Sequence, residues 1–156
     1  MASTFYSDQY YIAGPGTGSG GDLKVLVGSY TFASITIVND VVHMFEIPVG
    51  FTPLYGWLYG DDIDTGTEAL EIDVGVVGDA QKYLDSGVIT GDTVAGGKIT
   101  VGISIPLQED LMTVTPTEIA TAVDCIATIT AAANATGTGT ITVYLCGVFR
   151  DPRIVN

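Results

Sequence analysis

An all-β, antiparallel sandwich is the fold class this sequence predicts, and three observations predict it. From Lys24 onward the apolar residues recur with a period of two rather than 3.6. β-branched residues dominate the apolar segments, as strands favour. Glycine, proline, asparagine and aspartate fall between those segments, where turns belong. The chain has 156 residues, enough for one domain with a core of its own, and 47% of them are apolar. A disordered chain is excluded by that apolar content, despite 20 glycines.

Taken in order, residues 1–23 read as a flexible, extended N-terminal arm and residues 24–156 as the β-sandwich domain. The arm carries Phe5, Tyr6, Tyr10 and Tyr11, followed by the glycine-rich stretch Gly14 to Gly21. Large aromatic groups ahead of a flexible hinge suggest a segment that docks on something, its own neighbour included. Strands are expected at Val25–Phe32, Ile35–Val38, Val41–Val49 and Leu54–Tyr59. In the next segment Leu70, Ile72, Val74 and Val76 alternate with Glu71, Asp73 and Gly75. Ile99, Val101, Ile103 and Ile105 alternate with Lys98, Thr100, Gly102 and Ser104. Val123–Thr130 is a further strand, and Ile141, Val143 and Leu145 alternate with Thr140, Thr142 and Tyr144. Successive side chains on a strand point to opposite faces, so each segment offers one dry and one wetter face. Two short helices are expected as crossover turns, one over 79–84 with Asp79 as its cap and one over 116–120. About eight strands, with long connections near 78–97 and 106–120, point to a jelly roll of about eight strands. An immunoglobulin-like sandwich is the alternative.

Charge and composition narrow the function. Eighteen acids against five bases give a formal charge of −13, which makes nucleic acid a poor partner because nothing neutralises a row of phosphates. No run approaches the roughly 18 apolar residues of a membrane helix, and the first residues carry no basic region or apolar stretch. Folding in a cytoplasm, without a membrane, is therefore expected. Cys125 and Cys146 sit in no CxxC pair and read as buried free thiols, a cross-strand disulfide being the minor option. With a single histidine, His43, the chain lacks the ligands of a zinc site.

Reactive groups are equally sparse. His43 alternates with Val41, Phe45 and Ile47 and reads as a packed or interface residue. No GxSxG elbow occurs. Asp61, Asp62 and Asp64 offer clustered oxygens that could hold a cation, against the simpler reading of a solvated hairpin end. The glycines of residues 14–21 lack the preceding strand and following helix of a phosphate-binding loop. Neither catalytic residues nor a cofactor are expected. One cluster suits recognition: Tyr55, Trp57 and Tyr59 share a parity opposite Leu54 and Leu58. If the leucines face the core, three aromatics point outward, as at protein interfaces and sugar-binding platforms. The competing reading packs that face against a second sheet.

The segments Val41 to Gly50, Leu54 to Tyr59, Leu70 to Gly75 and Asp79 to Leu84, closed by the threonine-rich strand of Thr138 to Phe149, resemble a group of structural proteins of tailed bacteriophages. The likeness spans residues 24–149. It implies a jelly-roll capsid decoration, or cement, protein: a virion subunit on the outer surface of the phage head, bound to the major capsid protein and to itself as a homotrimer. Made in the host cytoplasm, such a subunit stabilises the capsid and is not an enzyme. Its capsid and subunit contacts are expected at Phe5, Tyr6, Tyr10, Tyr11, Tyr55, Trp57 and Tyr59. The alternative is a receptor- or glycan-binding virion module such as a head-fibre or tail component.

Overall fold

A computed structural model describes residues 3–7, 23–33, 38–61, 63, 70–88, 93–94, 97–98, 103–107, 117–133 and 139–149. The strands are β1 (Thr4–Tyr6), β2 (Leu23–Phe32), β3 (Val41–Ile47), β4 (Phe51–Gly60), β5 (Glu71–Val76) and β6 (Asp79–Val88). They continue with β7 (Thr93–Val94), β8 (Gly97–Lys98), β9 (Ile103–Leu107), β10 (Val123–Ala131) and β11 (Gly139–Phe149). Five strands form sheet A in the order β1-β3-β10-β5-β6, and four form sheet B in the order β2-β11-β4-β9. β7 and β8 make a separate two-stranded ribbon.

The pairing is nested. β2 pairs with β11, β3 with β10, β4 with β9, and β5 with β6, all antiparallel. The chain is thus one long hairpin, first strand against last, rolled so that alternate pairs fall in opposite sheets. Two further antiparallel pairings, β11 with β4 and β10 with β5, complete the sheets. That is the topology of a jelly roll, the fold the sequence predicts, and the immunoglobulin-like alternative is set aside; the long connection expected near 78–97 is instead mostly strand β6. β1 adds in parallel to the free edge of β3.

Period-two burial builds the core. From sheet B, Leu26 and Phe32 of β2, Leu58 of β4 and Ile141, Val143 and Leu145 of β11 point inward and are buried. From sheet A, Val42, Phe45 and Ile47 meet Ile72, Val74, Cys125, Ala127 and Ile129. Phe51, Tyr83, Met44, Ile63, Leu70 and Leu107 are further large, fully buried side chains. Close approaches between the sheets demand glycine: a Cβ on Gly28 would overlap the Met44 carbonyl oxygen and lie 2.8 Å from its carbon. Met44 is the extra residue of a bulge, because Cys125 pairs with Phe45 and Ile126 with His43.

Two expectations are corrected. Residues 79–84 are not a helix but the start of β6. Val76 pairs with Asp79, which leaves Val77-Gly78 as a two-residue hairpin turn, with Gly78 at a φ of +96°. Asp79 therefore opens a strand instead of capping a helix, and pairing with β5 overrides a weak local helical preference. Thr117–Ala120 is likewise not helical. Ile119 donates its N–H to the Phe51 carbonyl at 2.8 Å and accepts the Gly50 N–H at 2.9 Å, contacts that an extended backbone supplies. Of the expected strand over 98–105, Lys98 lies in β8, residues 103–105 lie in β9 (Ile103–Leu107), and residues 99–102 lie outside the described residues. Of the expected strand over 35–38, Val38 lies in a turn and the rest lies outside the described residues.

Candidate interaction surface

The two outer faces of the sandwich differ in charge. The strands of sheet A carry six carboxylates, Glu46, Glu71, Asp73, Asp79, Asp85 and Asp124, of which Asp73 is buried. Their basic residues are Lys82 and His43. The strands of sheet B carry no acid, and Lys24 is their one charged residue. Its parity places it opposite Leu23 and Val25, so the outward positions of these strands carry no ionised residue; Asp61, directly after β4, sets its carboxylate on the Thr140 N–H at the hydroxyl end of the sheet.

On that face Tyr55 and Trp57 project outward, each more than a third exposed, with ring centroids 5.3 Å apart in an edge-on arrangement. The register sets Trp57 opposite Tyr144 and Tyr144 opposite Val27. Cys146 stands between Tyr55 and Val25. Leu23 and Val25, both exposed, continue the patch along β2. Beside it the hydroxyls of Ser29 and Thr142 pair at 2.8 Å, and those of Thr31 and Thr140 at 3.0 Å. One half of the face is aromatic and aliphatic, and the other is a ladder of uncharged hydroxyls.

The Cys146 thiol is buried although its strand position points outward, because neighbours cover it. Burial raises its pKa, partly offset by hydrogen bonding with Tyr55. Desolvation raises the Tyr55 pKa as well, with Cys146 adding to it. Cys125 is fully buried; desolvation first, and the charge of Asp124 second, push its thiol far above the usual range. Both cysteines are free, as expected, and neither is held as a thiolate suited to nucleophilic attack.

The N-terminal residues that the structure describes are tied to sheet A. Phe5 packs against the core edge, its ring 5.4 Å from that of Tyr30. Tyr6 faces outward, stacked on His43 at 5.0 Å. Below Tyr6, His43 Nδ1 and Asp124 Oδ2 lie 2.8 Å apart. Ser3 donates its N–H to Asp40 Oδ1 at 2.8 Å, and the Ser7 hydroxyl donates to the Met44 carbonyl at 2.7 Å. His43 is thus a half-buried partner of one carboxylate and one aromatic ring.

Of the aromatic residues marked by the sequence, Tyr55 and Trp57 meet on the outer face of sheet B, with Tyr59 half-buried along the same strand. Phe5 and Tyr6 lie on sheet A, so the set does not form one cluster. Tyr10 and Tyr11 lie outside the described residues. Tyr144 belongs to the patch and was not singled out by sequence reasoning; only the β11–β4 register brings it to Trp57. Of the acidic stretch, Asp62 and Asp64 lie outside the described residues. Asp61 accepts the Thr140 N–H on its carboxylate at 3.0 Å and donates its own N–H to the Thr140 carbonyl. Among the described residues no three His, Cys, Asp or Glu side chains converge as metal ligands.

No protein-family model and no curated protein matches the chain. Solved structures do. A chain of the capsid asymmetric unit of cyanophage Pam1 is similar with a TM-score of 0.68 and 25% identity, over 92% of this chain and 96% of that one. A chain of the capsid of Ralstonia phage GP4 is similar with a TM-score of 0.63 and 15% identity, over 96% of this chain and 99% of that one. The likeness to the cyanophage capsid chain points to a structural protein and not to an enzyme.

Proposed function

We propose that this chain is a bacteriophage virion structural protein that decorates the outer surface of the head and stabilises the capsid. The observation that carries the reading is the extent of the likeness to the cyanophage capsid chain. It runs over nearly the whole of both chains, so one sandwich accounts for both. The division of charge supports it. A decoration subunit needs one face that stays in water and another that is dry in the assembly. Acidic sheet A suits the first, and the uncharged aromatic face of sheet B suits the second.

In this reading the partners are the major capsid protein and other copies of the chain, arranged as a homotrimer. The contacts are the arm of residues 1–23, with Phe5, Tyr6, Tyr10 and Tyr11, and the row Tyr55, Trp57 and Tyr59. Several weak contacts per subunit, repeated over a shell, give avidity without any single strong site. Synthesis takes place in the host cytoplasm and the finished protein sits on the virion. The test is co-sedimentation of tagged protein with purified expanded heads and with their unexpanded precursors. Retention by the expanded heads is expected, and no retention at micromolar protein sinks the proposal.

A receptor- or glycan-binding virion module is the second reading. The exposed Tyr55–Trp57 pair beside neutral hydroxyls favours it, since sugars stack on aromatic faces. Binding on a glycan array, lost in Trp57→Ala together with host adsorption, would support this reading. A blank array with unchanged adsorption removes it.

A further inference from the structure

The outer face of sheet B has an occupant that charge can identify. We infer that Leu23, Val25, Tyr55, Trp57 and Tyr144 form the surface through which copies of this chain meet. The inference rests on the proposed structural role and assigns one of its contacts.

A chain of formal charge −13 is repelled by any partner of the same charge. Two copies can join at low cost only where neither brings carboxylates to the contact. The aromatic half of the outer face of sheet B meets that condition: its strands carry no acid, and Asp61, at the other end of the sheet, is tied to the Thr140 N–H. When copies turn this face toward one another, each acidic sheet A stands behind its own sheet B. Packed sheets lie about 10 Å apart, so the acidic layers of two copies stay at least roughly 20 Å apart. That is more than two Debye lengths at physiological salt, where the length is about 8 Å, so the acids barely sense each other.

A differently charged partner would favour another design. An acidic body is attracted to a basic docking site through its carboxylates, which raise the encounter rate. A face lacking charge forgoes that attraction and fits a surface that is itself uncharged. The same face on a second copy is such a surface, and its aromatic rings supply large apolar area with little entropy to lose. Turned toward a shared axis, the faces of a closed homotrimer would bury Trp57 and Tyr144 at its centre.

Trp57 is the one tryptophan of the chain, so its fluorescence reports on the contact directly. The experiment measures the mass of the purified full chain by light scattering and the Trp57 emission over a dilution series. The expected result is an oligomer at tens of micromolar protein, with Trp57 emission shifting to the red as dilution splits it. Trp57→Asp, an exposed position where folding is checked by circular dichroism, should weaken association at least tenfold. Val77→Asp, on the exposed β5–β6 turn of the other sheet, should leave the mass unchanged. In Tyr144→Asp, Trp57 itself should emit at the red end at all concentrations. A monomeric full chain, or Trp57→Asp and Tyr144→Asp variants that are folded and of unchanged mass, overturns the inference. A monomer whose Trp57 shifts to the blue only on adding expanded heads gives the face to the shell and overturns it too. The mass and dilution readouts involve no shell, so a failure to decorate heads leaves a positive result standing.

Discussion

Replacing Gly28 with alanine tests how tightly the two sheets close on each other. The new methyl would overlap the Met44 carbonyl oxygen, lie 2.8 Å from its carbon and stand 3.1 Å from Cδ1 of Phe45. Carbon–oxygen contacts settle at about 3.3–3.6 Å, so strand β2 or the Met44 bulge must retreat by on the order of 1 Å. Neither moves freely. β2 is held along its length by β11, and the Met44 carbonyl accepts the Ser7 hydroxyl at 2.7 Å. Overpacking of this kind costs about 1–3 kcal/mol. Losing glycine's freedom in the unfolded chain returns about 0.4–1 kcal/mol. The net expectation is a destabilisation of about 1–2 kcal/mol. At about 2–4 °C per kcal/mol for a domain of this size, the melting temperature should fall by roughly 2–8 °C. Thermal melts and urea titrations of the two proteins measure it, with an unchanged urea m-value expected. A Gly28→Ala protein as stable as the parent, or more so, refutes the close approach of β2 to the bulge.

Other perturbations follow from the same structure. Phe45→Ala empties a fully buried site between the sheets and should cost about 3–5 kcal/mol in urea unfolding. Asn39 holds a φ of 71° in the turn before β3, so Asn39→Val should cost about 1–2 kcal/mol while Asn39→Gly leaves stability nearly unchanged. The raised Cys125 pKa sets an alkaline dependence. The folded thiol stays protonated where the unfolded one ionises, so its contribution is complete below the unfolded pKa of about 8.5 and is lost as pH rises above it. Stability should fall by up to about 1.4 kcal/mol per pH unit there, and Cys125→Ala should flatten that slope in urea titrations at pH 8 to 10. Both thiols should resist a thiol reagent in the native protein and react once urea unfolds it, as absorbance at the reagent's product band would record.

The strand content and the outward aromatics were legible because period-two patterning survives wherever one face of a strand is dry. Leu58 is buried and Trp57 exposed, as their parities require, and Ile141, Val143 and Leu145 line the core. β5 departs from the pattern. Asp73 and Gly75, expected on its wetter face, are buried along with Ile72 and Val74. The reason at Gly75 is the backbone of Asp79 and Ala80, which passes so close that a Cβ there would overlap it. That contact depends on how β6 folds back, which a sequence window does not contain. The same fold-back explains the strand at 79–84, where a capping aspartate and helix-forming neighbours suggested a helix. Pairing order was also illegible, and with it the place of Tyr144 beside Trp57, since residues 87 positions apart meet only through the β11–β4 register. The aromatic arm held two different roles under one composition: Phe5 packs on its own core, while Tyr6 stays on the surface over His43.

A reconstruction of the phage particle at side-chain resolution tests the account most directly. It should place this sandwich on the outside of the head, with acidic sheet A toward solvent and Trp57 covered. Density for the chain inside the head, or a sandwich whose Trp57 face stands open to water, would contradict it.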